Sequence, residues 1–133
     1  MKPGNSEPAA EGWFTPDQPD RLTACGETIA VVRKKALLRI LARREADREN
    51  LRPTDADVEA MSEQFRQTFG LVEGDELARW LHANALSPED YAAAMHDFAV
   101  VRLVEEFYAR EIDDLVPDQI AISTARFRQA NDD

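Results

Sequence analysis

The stretch SPEDYAAAMHDFAVVRLVEEFY, residues 87–108, decides the fold. Ser87 is a strong helix N-cap type, and Pro88 takes the first helical position, where its missing N–H costs nothing. Glu89 and Asp90 then place negative charge at the positive end of the helix dipole. Tyr91, Met95, Phe98, Val101 or the stem of Arg102, Val104 or Glu105, and Tyr108 sweep along the helix, and Ala99, Val100, Leu103 and Phe107 widen its apolar stripe. A helix with so broad an apolar face belongs at the centre of a bundle, touching several others.

Working outward from it, a short helix is expected over 75–83, with Leu77, Trp80 and Leu81 inward. Asn84, which tolerates the left-handed conformation, is the expected stop. Further upstream, Thr54 caps a helix and Asp57 stands three residues on, favouring the positive end of the dipole. Val58, Met61, Phe65 and Phe69 follow at helical spacing, and Gly70 sits where helices end in a left-handed residue. Pro53 disfavours helical geometry in Arg52 and separates this element from a first helix over 27–49. There Ile29, Val32, Ala36, Leu37, Ile40 and Leu41 share one face. Downstream, Pro117 is expected to break or restart the chain after 111–116. A last helix over 118–129 would carry Ile120, Ala121, Ala125 and Phe127, although 120–124 is rich in β-branched residues. With no period-two strand pattern elsewhere, the expected fold is all-α: one domain of about five helices over 21–133.

Residues 1–20 read as a flexible acidic tail, with Pro3, Pro8, Pro16 and Pro19 and no sustained periodicity. Trp13 and Phe14 stand out in it, either folding back onto the domain or serving as a short anchor for a partner. The tail lacks an apolar core of the signal-peptide kind, so no secretion signal and a cytoplasmic setting are expected. No apolar run approaches the ~18 residues of a membrane span.

The net charge of -10 argues against a nucleic-acid partner, whose binding rests on a basic footprint. Charge is uneven, however. Arg21, Arg33, Lys34, Lys35, Arg39, Arg43, Arg44 and Arg48 face only Glu27, Glu45 and Asp47 in the same stretch, and the remainder is acidic. The basic strip either packs beside acidic helices or docks an acidic partner.

Catalytic patterns are absent from the sequence. His82 and His96 do not form a metal-binding helical motif. Cys25, the single cysteine, rules out an intrachain disulfide and has no evident base partner; a buried or incidental thiol is expected. Glu105-Glu106 and Asp113-Asp114 read as solvated faces, and the five glycines form no phosphate-cradling loop. The expectation is no catalytic residue, no metal and no cofactor. What remains is a surplus of aromatic and methionine side chains. Phe65, Phe69, Trp80, Leu81, Tyr91, Met95 and Phe98 are therefore the expected peptide-binding set, in a groove between the second, third and fourth helices.

The order of pieces from Leu41-Ala42-Arg43-Arg44, through Pro53-Thr54-Asp55-Ala56-Asp57-Val58 and Phe65 to Leu71, to Leu77-Ala78-Arg79-Trp80-Leu81 and Leu86-Ser87-Pro88-Glu89-Asp90-Tyr91, resembles the N-terminal helical chaperone domain of the SurA and trigger-factor type. It is also similar to the helical C-terminal region of TfuA-like proteins, which accompany YcaO enzymes in modified-peptide biosynthesis; the ending Val116-Pro117-Asp118-Gln119-Ile120 to Phe127 belongs to that likeness. The resemblance covers roughly residues 30–128. It implies a helical peptide-binding body with Phe65, Phe69, Trp80, Leu81 and Tyr91 at matching positions, and no catalytic residue. The isomerase domain of SurA-type chaperones and the core domain of TfuA proteins are missing from the chain. The function so implied is a non-catalytic accessory that holds a peptide or protein substrate for a separate modifying enzyme, as in ribosomal peptide natural-product biosynthesis. Two other classes stay open: a small subunit completing a metal-dependent active site through His82, His96 and nearby acids, and a regulatory dimerisation module using the wide face of the fourth helix.

Overall fold

The computed structural model describes residues 22–132; the tail, with Trp13 and Phe14, lies outside them. Five helices follow in order: α1 (Ile29–Glu49), α2 (Asp55–Thr68), α3 (Glu76–Ala83), α4 (Pro88–Phe107) and α5 (Ala109–Asp132). Among the described residues the only β feature is an isolated bridge between Leu22 and Thr28. The all-α expectation holds. The chain divides into two compact units whose boundary falls within α1, the first ending at Leu41 and the second running Ala42–Asp133.

In the first unit, a tight turn leads into α1. The Gly26 N–H donates to the Thr23 carbonyl at 3.0 Å, and the Thr23 N–H to that of Glu27 at 2.8 Å. Gly26 takes φ +86°, which a side chain would strain. Thr28 caps α1 by accepting from the Val31 N–H at 3.2 Å. Ile29, Leu37, Ile40 and Leu41, expected on a core face, are all exposed. Helical spacing shows that they share a side of α1; it does not show what covers that side.

The second unit is built on α4. Its capping box forms as the sequence suggests: Ser87 Oγ accepts from the Asp90 N–H at 2.9 Å, and Asp90 Oδ2 accepts from the Ser87 N–H at 3.2 Å. Thr54 and Asp57 make the same exchange at the start of α2, at 3.0 and 2.8 Å. Such caps stabilise a helix by about 1 kcal/mol each. Three helices then end in one kind of turn, in which a left-handed residue lets the next N–H reach back five positions. Leu51 N–H reaches the Ala46 carbonyl at 2.8 Å, Leu71 that of Arg66 at 2.7 Å, and Leu86 that of Leu81 at 2.9 Å. The left-handed residues are Asn50, Gly70 and Ala85. Gly70 was expected there. Asn84 was not the left-handed residue at the end of α3: it keeps φ -104°, and Ala85 takes φ +57° instead.

Among the described residues the core is thin and rich in alanine. Ala42, Ala46, Leu81, Met95, Ala99 and Val100 are its buried hydrophobics, with Leu51, Val101 and Val104 packed on the Ala42–Ala46–Val100 cluster. Ala42 and Ala46 on the second half of α1 cluster with Val100 of α4. The main packing of α4 is against α2, with further contacts to α3 and to the start of α5. Phe98 and Phe107, expected in the α4 stripe, are 40% and 49% exposed, because the buried arc runs instead through Met95, Asp97, Ala99 and Val100. Asp97 is buried because Arg43 of α1 grips it with two bonds, Nε to Oδ1 at 2.8 Å and Nη2 to Oδ2 at 2.6 Å.

Pro117 does not break the chain. It lies inside the single helix α5, which begins directly after the cap residue Tyr108. Every side chain over 109–131 is exposed, so water can take up the carbonyl that Pro117 leaves unbonded.

Candidate functional site

Phe65 sits at the hub of an aromatic cluster. Its ring centroid lies 4.7 Å from Phe69, 5.5 Å from Trp80 and 5.5 Å from Tyr91, the last two edge-on. Phe69 in turn stacks on Trp80 at 6.4 Å. Helices α2, α3 and α4 thus each supply rings. Edge-to-face pairs add ~0.5–1.5 kcal/mol beyond the area they bury. The Tyr91 hydroxyl fixes the arrangement through the Ser62 hydroxyl, 2.7 Å away on α2. Phe69, the cap residue of α2, stands at the rim with 56% of its surface exposed.

Tyr91 also lines a cleft of about 370 Å³ together with Leu77, Ala78, Leu81, His82, Leu86 and Pro88. The turn that ends α3 builds one wall: left-handed Ala85 swings Leu86 round beside Leu81, and Ser87-Pro88 opens α4 immediately after. His82 and the Tyr91 hydroxyl are the polar side-chain groups among these residues, so the cleft suits an apolar group with one hydrogen-bonding point.

Of the expected peptide-binding residues, Phe65, Phe69, Trp80 and Tyr91 come together in the ring cluster. Leu81 and Met95 are 5% and 2% exposed and belong to the core, though Leu81 forms part of the cleft floor. Phe98 is 40% exposed and does not line the cleft. Leu77, Ala78, His82, Leu86 and Pro88 line the cleft but were outside the expected set. Leu86 owes its place to the left-handed Ala85, which nothing in the local sequence marks.

His82 lines this cleft, whereas His96 lines a separate one of about 210 Å³ with Arg43, Ala46 and Leu51 among its walls. Among the described residues no group of three or more His, Cys, Asp or Glu side chains is placed to hold a metal ion. Cys25, expected to be buried or incidental, is exposed. Its Sγ lies 2.7 Å from Thr23 Oγ1, and that hydrogen bond, with backbone donors, holds the thiol below its ordinary range. No described helix is long and apolar enough to cross a membrane.

Electrostatics concentrate elsewhere, where α1 meets the end of α4. The Tyr108 hydroxyl donates to the Glu45 carboxylate, and Arg48 bonds both partners, its Nη2 lying 3.3 Å from the hydroxyl. The Tyr108 bond, and after it Arg48, holds the Glu45 carboxyl below the usual carboxylate range. The same bond pushes the Tyr108 phenol up.

Comparison of the chain with protein-family models, curated proteins and solved structures returns no match.

Proposed function

We propose that this chain is a non-catalytic binding protein that takes an apolar side chain of a peptide into the cleft between α3 and the start of α4. The carrying observation is that cleft: about 370 Å³, walled by Leu77, Leu81, Leu86 and Tyr91, and flanked by an aromatic cluster whose outermost ring, Phe69, faces solvent. Clefts of this size and lining accept single side chains or short apolar motifs, with a few polar groups setting orientation. The likeness of the helix order to SurA-type and TfuA-like helical regions supports a peptide as the occupant. It also supports a place beside an enzyme that modifies a ribosomally made peptide.

The test is titration of the full chain with precursor peptides and modifying enzymes encoded beside it. Trp80 emission serves as a local reporter in a Trp13→Phe background, since the chain has two tryptophans. Binding that shifts Trp80 emission and is lost in Leu86→Asp supports the proposal. Leu86 is 40% exposed, so its replacement leaves the fold in place. Absence of binding to every such peptide and enzyme overturns it.

A further inference from the structure

Helix α5 exposes every side chain over 109–131. Its sequence supports it poorly from within, because Pro117 and the β-branched Val116, Ile120, Ile122 and Thr124 lower its helix propensity. Helices draw most of their stability from a packed face instead. On a helix advancing ~100° per residue, Ile112, Leu115, Val116, Ile120, Ile122 and Phe127 fall on one arc of ~160°. Isolated exposed leucines are ordinary, but a contiguous apolar helix face marks a contact surface. Pro117 lies on the opposite side, so the carbonyl it leaves unbonded stays turned to water while the stripe is covered.

Charge divides α5 along its length. Over 109–118 Glu111, Asp113, Asp114 and Asp118 stand against Arg110, a charge of -3; over 119–131 Arg126 and Arg128 stand with no acid, a charge of +2. None of these side chains has a hydrogen-bond or ion-pair partner among the described residues. A parallel copy of this helix would lay acid on acid, whereas an antiparallel copy lays the acidic half on the basic half. We infer that the occupant of the α5 stripe is α5 of a second copy of this chain, running antiparallel about a two-fold axis beside Gln119 and Ile120.

That midpoint brings Ile112 level with Phe127. Leu115 and Ile122 share one edge of the stripe and come within two residues of level. Glu111 and Arg126 lie on the same edge with the same offset, ~3 Å, which an arginine side chain spans. The two-fold axis repeats each contact and closes the assembly at two chains. Gln119, bonded to Ser123 of its own helix at 3.1 Å, sits mid-stripe against the axis, where a polar residue fixes register. The paired length, 109–130, spans ~33 Å and leaves Asp132 and Asp133 outside it. This surface is separate from the α3–α4 cleft, and its test does not depend on peptide binding.

Sedimentation velocity of the full chain over a range of concentrations reads the association, and the expected species has twice the 15.0 kDa chain mass. Leu115→Asp strikes both copies of the contact and weakens association by roughly 100-fold or more. Leu115 is 62% exposed, and unchanged Trp80 emission in a Trp13→Phe background shows that the helical body stays folded. Glu111→Arg and Arg126→Glu each weaken association by about tenfold or more at low salt, and by less at high salt. Their equimolar mixture regains wild-type association, because the mixed pair meets opposite charges at both sites. Direction is read in a Cys25→Ser background: a short bis-maleimide links two copies of Gln119→Cys but not of Asn131→Cys, whose positions stand ~35 Å apart. A wild-type chain that stays at 15.0 kDa throughout overturns the inference and leaves the stripe to residues elsewhere in the chain or to a different protein. So does a dimer indifferent to Leu115→Asp, a mixture no stronger than its components, or linkage at position 131 as efficient as at 119.

Discussion

The Tyr91 hydroxyl, on α4, lies 2.7 Å from the Ser62 hydroxyl on α2 and also donates to the Ser62 carbonyl at 3.4 Å. Removing the hydroxyl while keeping the ring separates its bond from the packing. Tyr91→Phe is expected to destabilise by about 1 kcal/mol in denaturant unfolding. Phe65→Ala, which empties the hub of the ring cluster, should cost about 3 kcal/mol. Equal losses in the two variants would show that the rings are not packed as described.

Ala85 offers the opposite sign. At φ +57° an alanine pays a steric cost that glycine does not. No hydrogen bond of the turn uses its side chain, so Ala85→Gly is expected to stabilise by about 1 kcal/mol. A rise in the denaturation midpoint without a change in slope is the result to look for.

Asp97 and Arg43 form an asymmetric pair, the acid side chain 5% exposed and the base 52%. Arg43→Ala removes two hydrogen bonds from a buried carboxylate, whereas Asp97→Ala frees a guanidinium that already reaches water. Arg43→Ala should therefore lower the melting temperature more than Asp97→Ala, and both far more than removing the exposed Arg52–Asp47 pair. A ranking with Arg52 first would contradict the burial of Asp97.

The Glu45–Tyr108 bond makes a pH prediction. A carboxyl with a lowered folded pKa contributes stability above its unfolded value, near ~4.3, and loses it as pH falls through the folded value. The raised phenol contributes below about 10 and loses that contribution as pH rises through its folded pKa. The melting-temperature difference between wild type and Tyr108→Phe should therefore be widest between those limits and shrink at both ends. A difference constant from acid to alkaline pH would exclude the bond as its source.

The legible parts of this fold were those written in contiguous residues. Thr54 with Asp57, Ser87 with Pro88 and Asp90, and Gly70 each announce a helix end through chemistry completed within a few positions. The ring cluster was legible too, because Phe65, Phe69, Trp80 and Tyr91 are large residues on neighbouring helices. Ala85 gave no such warning, since nothing in an alanine marks a left-handed turn and the adjacent asparagine looks better suited. Pro117 misled because its usual effect presumes a helix that must pack. On α5 the freed carbonyl faces water. Asp97 and the outward face of α1 lay beyond local pattern altogether: what covers a side chain depends on residues dozens of positions away, or on another chain.

The alanine-rich core has a calorimetric consequence. Among the described residues Ala42, Ala46 and Ala99 supply half of the buried hydrophobics, and alanines remove little apolar surface from water. The heat-capacity increment of unfolding scales with that surface, ordinarily about 12–15 cal/mol/K per residue. The chain should fall below this range, giving a shallow stability curve with little curvature.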